Sequence, residues 1–316
     1  MKVLLATDGS EQAEAAANEI VRQQLPANSA VLIISVVEPV YLPLTYPGDG
    51  VDMDVYSQIE KDGLEQGSAA VRKAAAQIDA GCKGNKLHIT TEVFSGSPTQ
   101  TILEEVEKFD ADLIVVGSHG YGMVKRFLLG SVSHSVALHA ACSVEIVRNR
   151  QLGNKKMKIL LAIDGSEQSE AAVDEVARQH FPDGSEVRII SVIEPAYYPT
   201  TLPWEGIDME IYKQIEKHAL MRALETVQKA SAKLQAVKGS RQLTITTKEL
   251  SGSAKSVILE EADSFGADLI VVGSHGHGSV ERFLLGSVSQ AVALHATCSV
   301  EIVRSRKTQS SENTWD

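Results

Sequence analysis

Asp112-Leu-Ile-Val-Val116 runs into Gly117-Ser-His-Gly120, and after nine more residues the chain reads Gly130-Ser131-Val132-Ser133. Leu113 to Val116 is apolar at every position, as expected of a strand covered on both faces. A buried strand that ends in a glycine-rich turn and then enters a helix makes a cradle for an anion. Glycines let the backbone approach the anion, and the amides at the helix start point at it. The stretch is not a P-loop, since no Gly-Lys-Ser or Gly-Lys-Thr follows the glycines. Gly117, Gly120 and Gly122 mimic part of a dinucleotide fingerprint, but the turn after the first strand, Asp8-Gly9-Ser10, lacks it.

The stretch returns as Asp268-Leu-Ile-Val-Val272, Gly273-Ser-His-Gly276 and Gly286-Ser287-Val288-Ser289. Asp8 and Asp164 lie 156 positions apart, as do Gly117 and Gly273, and Cys142 and Cys298. Residues 112–133 and 268–289 differ only at Tyr121/His277, Met123/Ser279 and Lys125/Glu281. Solenoid repeats run about 20 to 50 residues, so this is a duplicated domain of ordinary size. The expected layout is a first domain at 1–148, a polar linker at 149–157, a second domain at 158–304 and a disordered tail at 305–316.

Each half alternates strands with helices. Val3–Thr7, Val31–Val37, His88–Phe94, Leu113–Val116 and Val144–Val147 read as strands. Glu11–Gln24, Asp52 to about Ala80, Pro98–Phe109 and Ser131–Ala141 read as helices. This alternation predicts a parallel sheet with helices on both faces. Ligands in such sheets bind beyond the carboxyl ends of the strands, where the strand order switches. If the first and fourth strands are neighbours, Asp8-Gly9-Ser10 and Gly117-Ser-His-Gly120 share one crevice.

Composition narrows the function. With 316 residues, 43% of them hydrophobic, each half can bury a core of its own. A net charge of −11 with no Lys/Arg run argues against a nucleic-acid partner. The apolar start Val3–Ala6 is too short for a signal sequence, and nothing approaches the roughly 20 apolar residues of a membrane span. A soluble, cytoplasmic protein is expected. Three cysteines without a CxxC read as small buried hydrophobes, and the nine histidines show no metal-ligand spacing.

Several residues carry two readings. Asp8 and Asp164 either cap the following helix, with Glu11 and Glu167 three residues on, or accept a hydrogen bond from a ribose hydroxyl or an adenine amino group. Ser133 and Ser289 either cap their helix or reach a phosphate or its Mg2+. His119 and His275 lie inside the cradle, where backbone geometry alone can be the requirement. Tyr41, Tyr46, Tyr197, Tyr198 and Trp204, in the loops 39–50 and 195–206, either form lids over a base or pack their own loops. No nucleophile–base pair is visible, and Ser131 is not in a G-x-S-x-G elbow.

The doubled Gly-x2-Gly-x9-Gly-Ser, the strand-one aspartates, Ser35-Val36 and Ser191-Val192, and the Ser95-Gly96-Ser97-Pro98 turn resemble the ATP-binding branch of the universal stress protein family. The resemblance covers about 300 residues as a tandem pair. It implies two Rossmann-like, doubly wound α/β domains, each a five-stranded parallel sheet of order 3-2-1-4-5. It implies adenine contacts at Asp8 and Asp164 and at the backbone near Val36 and Val192. Phosphates would lie on Gly117, Gly120, Gly130, Ser131, Val132 and Ser133, and on Gly273, Gly276, Gly286, Ser287, Val288 and Ser289. The implied ligand is ATP, or AMP or ADP, with Mg2+ carried by the nucleotide. The implied role is stress response or signalling; the alternative is a slow ATPase or nucleotide-transfer enzyme. Strand five pairs domains in the family, so the halves are expected to form an internal pseudo-dimer, and two chains to associate further as an option. Glu145 and Glu301 fall in that strand, where an outward position tolerates a glutamate.

Overall fold

A computed structural model describes residues 1–39, 53–82, 84–120, 129–148, 156–195, 209–237, 243–276 and 285–305. The first half runs β1 (Lys2–Ala6), α1 (Glu11–Gln23), β2 (Ala30–Val37), α2 (Met53–Gly81), β3 (His88–Ser95), α3 (Pro98–Phe109), β4 (Leu113–Gly117), α4 (Ser131–His139) and β5 (Ser143–Val147). The second repeats it as β6 (Lys158–Ala162), α5 (Glu167–Arg178), β7 (Glu186–Ile193), α6 (Met209–Val237), β8 (Thr244–Ser251), α7 (Ala254–Phe265), β9 (Leu269–Gly273), α8 (Ser287–His295) and β10 (Ser299–Val303). Local chemistry sets the ends. Ser10 caps α1 by accepting the Ala13 amide, and Gln24 closes it in the left-handed conformation at φ 49°. Pro98 opens α3 at its first position, where a missing N–H costs nothing.

Within each half the strands lie in the order that the resemblance implies, β3-β2-β1-β4-β5 and β8-β7-β6-β9-β10, and all are parallel as the alternation predicts. The two sheets then join. β5 pairs antiparallel with β10, giving one ten-stranded sheet. The register sets Glu145 opposite Glu301, with Val144 opposite Ile302 and Ile146 opposite Val300. Glu145 and Glu301 are equivalent positions of the repeat. β3 and β8 form the outer edges, and they are the strands rich in exposed polar residues, which blunts an open edge.

The two faces differ. On one, α3, α4, α8 and α7 cover a core that runs unbroken across the join, with Ile102, Val136, Val144 and Ile146 meeting Ile258, Val292, Val300 and Ile302. On the other, α1 and α2 cover one core around Leu5, Ile20 and Ile78, and α5 and α6 cover another around Leu161, Val176 and Val227. A polar seam lies between those two cores. Glu145 and Glu301 are both fully buried there, so the outward placement expected for these glutamates is wrong. Gln23 donates to Glu145 Oε2 at 2.8 Å, and Gln179 to Glu301 Oε2 at 2.7 Å. Among the described residues the other oxygen of each carboxyl has no hydrogen-bond partner. Burial, then the like charge of Glu175, pushes Glu301 up to about 8. Glu145 is raised well above the ordinary carboxylate value by burial and then by Glu19 and Glu301.

Met157, placed in the linker by its polar surroundings, is fully buried in the second half's core; residues 149–155 and 306–316 of the expected linker and tail lie outside the described residues. Cys82, Cys142 and Cys298 are buried and form no disulfide. Among the described residues no helix is long and apolar enough to cross a membrane.

Candidate functional site

β1 and β4 are neighbours, with Leu5 opposite Val115 and Ala6 opposite Val116. The chain leaves β1 for β2 on one side and β4 for β5 on the other, so their carboxyl ends flank the switch point. Asp8 and the Gly117 turn meet there as expected. The helix-capping reading of Asp8 does not hold, because Ser10 is the cap. Asp8 Oδ1 instead accepts the Ser10 amide at 2.9 Å, and Asp164 accepts the Ser166 amide at 2.9 Å. Gly9 and Gly165 make this turn possible at φ 83° and 84°. Both aspartates are exposed at the mouth of the crevice.

Each glycine of the motif does a different job. A Cβ on Gly117 would stand 2.8 Å from the backbone carbonyl carbon of Gln12, and on Gly273 2.7 Å from that of Gln168. These glycines seat the strand end against the first turn of α1 or α5, and packing alone accounts for them. A Cβ on Gly120 would stand 2.5 Å from Asp8 Oδ2, and on Gly276 2.5 Å from Asp164 Oδ2. Bare backbone here lets the aspartate and the turn share one small space. Gly130 and Gly286 sit at φ −64° and −61°, a backbone that any residue adopts. The Gly130 amide donates to the Ser118 carbonyl at 2.8 Å and closes the turn back on itself.

Gly130 is the N-cap of α4 and brings no side-chain cap, and no acidic residue follows in the first turn. The first intrahelical bond is His134 N–H to the Gly130 carbonyl. Ser131, Val132 and Ser133 therefore present amides with no acceptor inside the helix, and Ser131 is exposed. Gly286, Ser287, Val288 and Ser289 repeat this on α8. The hydroxyl of Ser133 donates to the Gly117 carbonyl at 2.7 Å, and that of Ser289 to the Gly273 carbonyl at 2.6 Å. With its one proton used, each hydroxyl can only accept, so it suits a cation better than a phosphate. Val36 and Val192 lie at the carboxyl ends of β2 and β7, half-buried beside Phe94 and Leu250.

His119 is buried, with Nδ1 3.0 Å from the Ser118 hydroxyl. Burial, then the charge of Arg148, lowers its pKa; burial and Arg304 do the same to His275. These imidazoles are neutral at neutral pH and do not bring a positive charge to an anion. Tyr121, His277, Lys125, Glu281 and the loop aromatics Tyr41, Tyr46, Tyr197, Tyr198 and Trp204 lie outside the described residues.

A family model described as the universal stress protein family matches residues 1–148 and again 156–304. The chain belongs to the universal stress protein family. A universal stress protein of Mycolicibacterium smegmatis is 28% identical over 312 residues, covering 96% of this chain and 97% of its own. One of Mycobacterium tuberculosis is 28% identical over 309 residues, 93% of each chain. The crystal structure of a universal stress protein from Archaeoglobus fulgidus superposes with a TM-score of 0.56 at 21% identity over 96% of both chains, which speaks for the fold.

Sequence reasoning missed two residues beside the cradles. Arg148 Nη1 and Nη2 donate to the carbonyls of Cys298 at 3.2 Å and Ala293 at 2.5 Å. Arg304 donates to Cys142 at 3.2 Å and Ala137 at 2.6 Å. Burial brings Arg148 down to about 10, still charged at neutral pH. A signal was present: Val147-Arg148 and Val303-Arg304 recur in register after the last strand of each half.

Proposed function

We propose that each half binds one adenine nucleotide, and that the protein is a nucleotide-dependent stress-response or signalling module of the cytoplasm. ATP, or AMP or ADP, is the ligand, with Mg2+ carried by its phosphates. One observation carries the reading. At each switch point a carboxylate, a turn open only to glycine and the uncapped start of a helix converge, and the whole set occurs twice. The residues fit a phosphate: three adjacent amides with no intrahelical acceptor supply donors and the positive end of the helix dipole. Asp8 and Asp164, beside the ends of β2 and β7, suit the adenosine end. The neutral His119 and His275 and the tethered Ser133 and Ser289 leave phosphate recognition to backbone, which suits a ligand held rather than hydrolysed. The symmetric β5–β10 join supports an internal pair of domains.

The test is to purify the protein without added nucleotide, denature it and identify what is released, then titrate the stripped protein with Mg2+–ATP by calorimetry. Release of adenine nucleotide, or binding at up to two sites per chain, is expected. No released nucleotide together with no binding heat and no thermal stabilisation by ATP, ADP or AMP refutes the proposal.

A further inference from the structure

Each cradle helix is held at its far end by the other half of the molecule. The carbonyls that Arg304 takes, Ala137 and more distantly Leu138, are in the last turn of α4. Arg148 takes Ala293 in the last turn of α8. The backbone reinforces the crossing: the Arg148 amide donates to the Ser299 hydroxyl, and the Arg304 amide to the Ser143 hydroxyl, both at 3.2 Å. Both arginines also border their own cradle. The Ser118 amide donates to the carbonyl of Val147, next to Arg148, at 2.9 Å, and the Ser274 amide to that of Val303, next to Arg304, at 2.8 Å.

We propose that the two nucleotide sites are coupled through these crossed arginines, so that filling one cradle orders the other and tightens its binding. The proposal rests on the nucleotide reading above. Its physical basis is the short length of the struts. α4 and α8 have nine residues each, fewer than the roughly 12 to 15 needed for a helix to hold itself in water. Each depends on what meets its ends. An anion at the start and a guanidinium at the finish both favour the helix dipole. Nucleotide on α4 therefore firms the carbonyls that Arg304 holds. A firmer Arg304 steadies Val303, the anchor of the Ser274 turn in the other cradle. Arg148 transmits the same effect from α8 to the Ser118 turn, and by linkage a ligand that orders the Ser274 turn steadies Val303, Arg304 and so the last turn of α4. A second ligand then meets a site already ordered, and this gives positive cooperativity without a large change of shape.

The experiment isolates one site. In the full chain carrying Gly120→Val, whose side chain displaces Asp8, Mg2+–ATP should bind only the second half, at one site per chain. Hydrogen exchange is then read at α4 with and without ATP. The expected result is slower exchange in α8 and, at a distance, in the last turn of α4. Adding Arg148→Met and Arg304→Met should keep the slowing in α8 and erase it in α4. Calorimetry on the otherwise unaltered chain should show the second equivalent binding at least about fivefold tighter than in the double arginine variant, at the low end of measured couplings. Should the Met pair fail to melt cooperatively, Arg148→Lys with Arg304→Lys is used, since an ammonium cannot span two carbonyls as the planar fork does. ATP bound with α4 exchange unchanged overturns the coupling but not the site. Transmission that persists without the arginines overturns their role. No ATP binding in the parent chain overturns the underlying site instead.

Discussion

Replacing Glu145 and Glu301 by glutamine should stabilise the protein at neutral pH and leave it little changed in acid. Both side chains are fully buried and face each other across the β5–β10 ladder. The groups around them are Glu19 and Arg22 on α1, Glu175 and Arg178 on α5, and the amides of Gln23 and Gln179. Glu301 rises from 4.5 to about 8 in the folded protein. The folded state then binds a proton more tightly than the unfolded chain. Its stabilising effect is complete below 4.5 and is lost as pH climbs through about 8. At about 1.4 kcal/mol per unit, Glu301 alone removes about 3 kcal/mol of stability between the ordinary carboxylate range and neutrality. Glu145 acts in the same direction. Glutamine copies the protonated acid and still offers an oxygen to Gln23 or Gln179, so the double variant should not show this loss. Urea denaturation of parent and variant across weakly acidic to weakly alkaline pH measures it. The gap should widen steadily as pH rises. A parent whose stability is flat over that range, or a variant with the parent's slope, refutes the reasoning.

Gly130→Val with Gly286→Val should lower ATP affinity at least about tenfold, through loss of charge-assisted hydrogen bonds at the helix start. The melt should stay cooperative, since the backbone at φ −64° suits valine and the nearest atom to a new Cβ, the Ser118 carbonyl oxygen, is 3.3 Å away; calorimetry and thermal melts check both. Gly117→Ala should instead lose about 1–3 kcal/mol of stability, because its Cβ has only 2.8 Å to the α1 backbone, measured by denaturant titration. Ser133→Ala leaves the Gly117 carbonyl without its 2.7 Å donor and should cost about 1 kcal/mol; ATP affinity that falls without any loss of stability contradicts that structural role.

Much of the architecture was legible because the signals are local. Leu113–Val116 is apolar at every position, and in the fold it is buried on both faces. Pro98 marks the start of α3 within one residue. The alternation predicts a parallel sheet, and the order of its strands came from the resemblance alone. The errors came where a residue's partner lies far away in sequence. Glu145 sits between Val144 and Ile146 in the five-residue strand β5 and looks solvent-facing until Gln23 arrives from 122 residues away. Asp8 looked like a cap because Glu11 has the right spacing, yet Ser10 is nearer the helix and took the role. Arg148 offers only the recurrence of Val-Arg after the last strand of each half, because its acceptors belong to the other half.

The β5–β10 ladder makes the meeting of the two halves a unimolecular event. Separate subunits joined by such a ladder would part on dilution, whereas a tethered pair keeps a fixed effective concentration. The ladder also sets like against like, as a two-fold homodimer does. In a homodimer every substitution strikes both subunits at once. Here a single codon can change one half and spare its twin, and Tyr121/His277 and Lys125/Glu281 are differences of that kind. Covalent union thus frees two copies of one design to drift apart while the frame between them stays symmetric.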